Sequence, residues 1–259
     1  MDYSVDYLRA TSNSVMVPIT LQIPNREMAY RDNKGVHSAN LNLYVRITTP
    51  SGRVVQTFEQ IISRDIPASL FQKTLEQSSI FQKSIPLSPG LYRLDLVVKD
   101  VESGSVGVID TALRVPGFEA DALAASTLIL ADQIEPVPAS QLGLGSFVID
   151  SYKVRPRLSR EFSTAENLGL FLQLYYFRRD EAVRKSSVLI TYRLLKNHQQ
   201  VWEATESSES IRQSGEQVTL NRQIPLAGFS PDSYTLEVAA NDRVSGHPIS
   251  RDAGFQIKP

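Results

Sequence analysis

The chain has 259 residues, enough for one large domain or two ordinary ones, and its 42% hydrophobic and 21% charged residues give a globular balance that argues against disorder and membrane spans alike. A formal charge of -1 offers no basic field to condense onto a phosphate backbone, so nucleic acid is not an expected partner. The lack of cysteine removes disulfides, thiolate nucleophiles and cysteine-ligated metal centres together, and leaves the compartment open.

At the N-terminus, Met1 to Asp6 shows no basic segment followed by an apolar run, and no stretch reaches the about 18 apolar residues of a membrane helix. This reading expects either a cytoplasmic protein or a mature piece of a longer precursor. The first strand pattern comes next: Val15, Val17, Ile19, Leu21 and Ile23 alternate with Met16, Pro18, Thr20 and Gln22, the proline suggesting an edge or a bulge. Ala39 to Ile47 alternates in the same way and turns at Thr49-Pro50-Ser51-Gly52 into a partner strand, Arg53 to Ile62. A helix is expected from Pro67 to about Gln77, with Leu70, Phe71 and Leu75 facing inward, bridging two strands. Pro116 to Ala125 reads as a linker, Ser126 to Ile134 as a strand, Pro136 to Gly145 as a loop and Phe147 to Val154 as another strand. Strands at Leu168 to Phe177, Ser187 to Leu195, Gln200 to Thr205 and Gln217 to Pro225 complete the pattern.

An internal repeat organises these elements. Ser88 to Val115 aligns without a gap over Ser230 to Ile257, with Ser88, Pro89, Tyr92, Leu94, Asp100, Ser103, Gly104 and Asp110 identical to Ser230, Pro231, Tyr234, Leu236, Asp242, Ser245, Gly246 and Asp252. Each copy reads as turn, half-buried strand, Asp-x-x-Ser-Gly turn and strand, a hairpin. Tyr92 and Tyr234 sit where sandwich folds place a tyrosine corner, with the hydroxyl bonded back to the main chain. Ile85-Pro86-Leu87 recurs upstream as Ile224-Pro225-Leu226. The fold expected is all-β: two tandem immunoglobulin- or fibronectin-III-like β-sandwiches at 1–118 and 126–259, a linker at 119–125, and one short helix in the first sandwich.

The runs Val15 to Asn25, Gly52 to Glu59, Gly90 to Asp100 and Ser126 to Asp132 resemble the C-terminal β-rich region of bacterial proteins named for a GWxTD domain. The resemblance lies in strand wording over most of the chain, and it carries no catalytic motif. The naming motif is absent, since the single Trp202 is flanked by Val201 and Glu203. The resemblance therefore implies the part downstream of that domain, an extracytoplasmic location in the periplasm or envelope, and a missing N-terminal domain of the same protein as a partner. Attachment to a von Willebrand type A-like module is the alternative.

Residues capable of chemistry are sparse. His37, His198 and His247 are scattered singly and share no ligand spacing, so no metal or cofactor is expected. There is no Gly-x-Ser-x-Gly elbow or Ser-x-x-Lys, and Gly143-Leu-Gly145 lacks the third glycine and the helix of a dinucleotide fingerprint. Asp100, Glu102 and Asp242 lie at hairpin ends, where bonding to their own backbone explains them more simply than the about six to eight oxygens of a calcium site. The surface candidate is the strand Leu168 to Phe177. Its leucines and Tyr176 form one face, and Phe171, Tyr175 and Phe177 form the other, beside Gln173 and followed by Arg178, Arg179, Arg184 and Lys185. Two readings stay open: a central strand covered on both sides, or an exposed aromatic platform for a glycan or protein partner. The function expected is a non-enzymatic interaction or spacer module of a larger bacterial envelope protein, with a carbohydrate-binding module as the alternative.

Overall fold

A computed structural model describes residues 1–120, 122–138, 147–178, 187–208, 211, 213–214 and 217–259. The expected all-β architecture is what it shows, with one short helix. The first strands are β1 (Asp2–Val5), β2 (Leu8–Arg9), β3 (Val15–Pro24), β4 (Arg31–Asn33), β5 (Val36–Thr48) and β6 (Val54–Pro67). Helix α1 (Ala68–Leu75) precedes β7 (Ser78–Leu87), β8 (Gly90–Asp100) and β9 (Val106–Val115). There follow β10 (Ala124–Ala125), β11 (Ile129–Pro136), β12 (Val148–Ile149), β13 (Tyr152–Pro156), β14 (Glu161–Ser163) and β15 (Asn167–Tyr175). The last are β16 (Val188–Lys196), β17 (Gln199–Ser207), β18 (Gln213–Ser214), β19 (Gln217–Pro225), β20 (Asp232–Asp242) and β21 (Pro248–Lys258).

These elements fall into two units. The first comprises Met1–Val5, Asn13–Val15 and Ile19–Gly117; the second comprises Asp6–Ser12, Met16–Pro18 and Phe118–Pro259. Two short stretches near the N-terminus thus belong with the C-terminal half, although the sequence reading placed all of 1–118 in one domain. Part of the expected linker is also structured, because Ala124 and Ala125 pair with Tyr175 and Leu174.

In the first unit β5 pairs antiparallel with β6 and with β8, and β9 continues from β8. A two-residue turn, Lys34-Gly35, with both φ angles positive, folds β4 onto the start of β5. A second sheet pairs β3 with β1 and β7. Period-two alternation buries Leu41, Leu43, Val45 and Ile47 of β5 with Leu94, Leu96 and Val98 of β8, each such burial stabilising by roughly 1.5–3 kcal/mol. The buried polar groups are paired: Gln82 Nε2 donates to Thr20 Oγ1 at 3.0 Å, and Ser79 Oγ donates to Asn25 Oδ1 at 2.6 Å.

In the second unit one sheet runs β12-β13-β11-β15-β19-β18 and the other β14-β21-β20-β16-β17. A single apolar core joins their inner faces, from Leu168, Leu170, Leu172 and Leu174 of β15 to Ile190 and Tyr192 of β16, Leu236 of β20 and Phe255 of β21. The hairpin between β16 and β17 closes on Asn197 and His198, both at positive φ.

The repeat is preserved strand by strand. β8 and β20 occupy aligned positions, and Gly104 and Gly246 share a positive φ, 74° and 75°. Tyr92 and Tyr234 each donate a hydroxyl hydrogen bond of 2.9 Å to the carbonyls of Ser88 and Ser230, so both tyrosine corners are formed. Two expectations are corrected. Leu70 of α1 is 53% exposed rather than inward, while Phe71 and Leu75 are half-buried, Phe71 stacked on His37 and edge-on to Tyr30. Phe147 to Val154 is a hairpin and not one strand, since Asp150 turns the chain at φ 53° between β12 and β13.

Candidate functional site

The aromatic face of β15 is the place to begin. The strand has β11 and β10 on one side and β19 on the other, so every residue from Leu168 to Tyr175 is buried. Its even positions enter the main core. Its odd positions face a second apolar cluster, in which Phe171 meets Ile129, Ala131, Ile149, Val154 and, from the N-terminal segment, Leu8.

Phe171 and Tyr175 are both 0% exposed, and Phe177 is 5% exposed. The exposed aromatic platform is therefore replaced by the other reading, a central strand covered on both sides. Part of the cover comes from Tyr7, Leu8 and Arg9. Tyr7 N donates to Thr127 Oγ1 at 2.8 Å, and Thr127 N donates to the Tyr7 carbonyl at 3.1 Å. Arg9 N donates to the Tyr175 hydroxyl at 3.1 Å, and that hydroxyl donates to Gln173 Oε1 at 2.7 Å. Phe118 packs edge-on against the Tyr175 ring at 5.2 Å. Burial pushes the Tyr175 phenol far above its ordinary value, with the Arg9 contacts opposing.

Phe177 is not on that face at all. Tyr176 adopts φ 59°, a conformation rare for a bulky residue, and this resets the alternation so that Phe177 drops into the main core beside the leucines. Tyr176 itself turns toward Arg9, accepting a 2.6 Å bond from Nε while the guanidinium lies 4.4 Å from the ring centre. Arg178 is exposed, but its backbone N–H is held by Asp242 Oδ2 at 2.8 Å. Arg179, Arg184, Lys185, Gly143 and Gly145 lie outside the described residues. Nothing in the sequence pattern marked Arg9 and Tyr176 as partners; they are far apart in the chain, Arg9 lies outside the alternating runs, and the alternation put Tyr176 on the leucine face.

The repeated aspartates hold the hairpins, as their turn positions led one to expect. Asp100 Oδ1 accepts from Glu102 N at 2.9 Å and Ser103 N at 3.0 Å, and Oδ2 accepts from Ala29 N at 2.7 Å. Asp242 Oδ1 accepts from Val244 N at 3.0 Å, and Oδ2 accepts from Ser245 Oγ at 2.7 Å and Arg178 N at 2.8 Å. Burial alone would raise both carboxyls, but the convergent N–H and O–H donors outweigh it and leave each below the usual carboxylate value. In each copy the carboxylate also reaches one amide outside its own turn, so it ties the hairpin to the segment after β3 or after β15.

A shallow hollow on the outer face of β16, β20 and β21 contains Thr191, Arg193 and Ser250. Arg193 there is already bonded to Glu203 at 2.8 Å and Glu237 at 2.7 Å. Of the histidines, His37 is stacked on Phe71 at 3.8 Å, and His198 and His247 occupy separate hairpin turns.

No family model and no curated protein matches the chain. Among solved structures, a β-glucuronidase from Bacteroides uniformis aligns over 62% of this chain and 16% of its own length, at 12% identity and a TM-score of 0.33. The chain thus spans about 16% of that enzyme, a likeness too slight to bear on activity.

Proposed function

We propose that the chain is a non-enzymatic interaction or spacer module of a larger bacterial envelope protein, built from immunoglobulin-like sandwiches. The observation that carries this reading is the use made of its polar side chains. Asp100, Asp242, Tyr92, Tyr234 and Tyr175 all hydrogen-bond main-chain groups of the protein itself, so they brace turns and tie neighbouring segments together. A duplicated hairpin locked in this way suits a rigid element that separates or presents other parts of a protein. The likeness to the region downstream of a GWxTD domain supports the envelope setting. The aromatic face gives no support to carbohydrate binding, because Phe171 and Tyr175 are covered.

Fractionation of a tagged version expressed from its own locus tests the proposal. Recovery with the periplasmic or envelope fraction, as a segment of a longer polypeptide, is the expected result. A free cytosolic chain, or turnover of ester or glycoside substrates lost on mutating a specific residue, would refute it.

A further inference from the structure

We infer that the free edge of β6 is a self-pairing surface, at which a second copy of the chain adds its own β6 antiparallel about a two-fold axis at Ile61. The inference rests on the geometry of this strand and not on the envelope reading. β6 is 14 residues long and, among the described residues, pairs only with β5, so its other side presents a row of unpaired backbone donors and acceptors. Such edges are usually guarded by shortness, proline, a bulge or charged side chains, lysine above all; here the charges are Glu59, Arg64 and Asp65. β6 does have a bulge, where Ile47 faces Gln56 and Thr48 faces Val54, leaving Val55 as the extra residue. Beyond it, Gln56 to Ile66 is regular and contains neither lysine nor proline. Within this stretch Ile61 is 67% exposed, an apolar side chain with no cover.

Charge and the bulge together set the register. A two-fold axis normal to the sheet keeps each side chain on its own face, so residues opposite each other are separated by an even number of positions. An axis at Glu59 sets that carboxylate against its own copy, and an axis at Ile62 sets Glu59 against Asp65; both place like charges opposite each other. An axis at Gln60 spends the bulged Val55 against Asp65. With the axis at Ile61, the bulge-free stretch Gln56 to Ile66 pairs wholly with itself. Phe58 then faces Arg64, Glu59 faces Ser63, Thr57 faces Asp65, and the two Ile61 side chains meet. No like charges are opposed, and the most exposed apolar residue of the strand is covered.

The experiment uses the intact chain, which has no cysteine of its own. Sedimentation equilibrium should show a concentration-dependent dimer. Ile61→Lys, which brings two ammonium groups together on the axis, should weaken it by at least about tenfold without lowering the thermal midpoint at dilutions where both proteins are monomeric. Ile61→Cys should form an intermolecular disulfide under mild oxidation, since facing Cβ atoms about 4.5–5.5 Å apart need little adjustment. Val108→Cys, 64% exposed on β9, should not cross-link. A wild-type chain that stays monomeric at high concentration overturns the inference, even if a foreign strand peptide binds the edge. So does a dimer indifferent to Ile61→Lys, or equal cross-linking at Val108→Cys.

Discussion

Replacing Asp242 by alanine should cost the second unit about 3–5 kcal/mol. The side chain is fully buried, and its removal leaves the Arg178 and Val244 amides and the Ser245 hydroxyl without their acceptor. Hydrogen bonds to a charged group contribute roughly 1.5–3 kcal/mol each, and three that share one carboxylate are less than additive, which gives that range. The single tryptophan, Trp202, packs against the core of the second unit, so its fluorescence follows that unit through a urea titration. With a slope of about 2 kcal/mol/M, the midpoint should fall by about 1.5–2.5 M. Asp242→Asn keeps one acceptor oxygen and should cost less, about 1–2 kcal/mol. The pH dependence has a definite sign. Because the folded-state value is depressed, the contribution of Asp242 is fully present above the unfolded value near 4. It is lost as pH falls through the folded value, so wild type should lose stability below about pH 4 more steeply than Asp242→Asn. An alanine variant within about 0.5 kcal/mol of wild type would refute the assignment of Asp242 as the tie between the hairpin and Arg178.

Other substitutions probe the remaining joints. Gly169→Ala would bring a Cβ to 2.6 Å from the Ala131 carbonyl oxygen, and that backbone atom has little room to yield; a loss of about 1–3 kcal/mol is expected by urea unfolding. Tyr234→Phe should cost about 1 kcal/mol through the lost bond to Ser230, and Tyr92→Phe less, because Tyr92 is only half-buried; equal costs would speak against burial as the difference. Tyr175→Phe removes the acceptor for the Arg9 amide, so amide hydrogen exchange across residues 6–12 should speed up by about tenfold, and unchanged protection would show that this cover is held by something else.

The legible parts of the fold were those where local chemistry and side-chain period agree. β8 and β20 could be read because apolar alternation ends in Asp-x-x-Ser-Gly, and only a residue tolerant of positive φ fits where Gly104 and Gly246 sit. The tyrosine corners followed from the Ser-Pro turn that enters each of these strands. Phe177 was assigned to the wrong face because a count of two per step assumes unbroken extension, and nothing local announces that Tyr176 takes a left-handed conformation. Asp150 splits Phe147 to Val154 for the same reason. The burial of Phe171 and Tyr175 was legible only as one of two readings. Which one holds depends on residues elsewhere in the chain, from Leu8 and Arg9 to Ile129 and Val154, and single-strand periodicity carries no information about that.

Leu8 shares a cluster with Phe171, which gives the order of synthesis a physical consequence. At about 5–20 residues per second, a ribosome reaches Phe171 roughly 10–30 seconds after Leu8 has been made. For that interval Leu8 must wait with this contact unmade, and completion of the second unit becomes a late event. A fragment begun at residue 118 would keep Phe118, Ile129, Ala131, Ile149 and Val154 around these rings but would lack Leu8 and the Arg9 amide, leaving a gap beside Phe171 and one partner fewer for the Tyr175 hydroxyl.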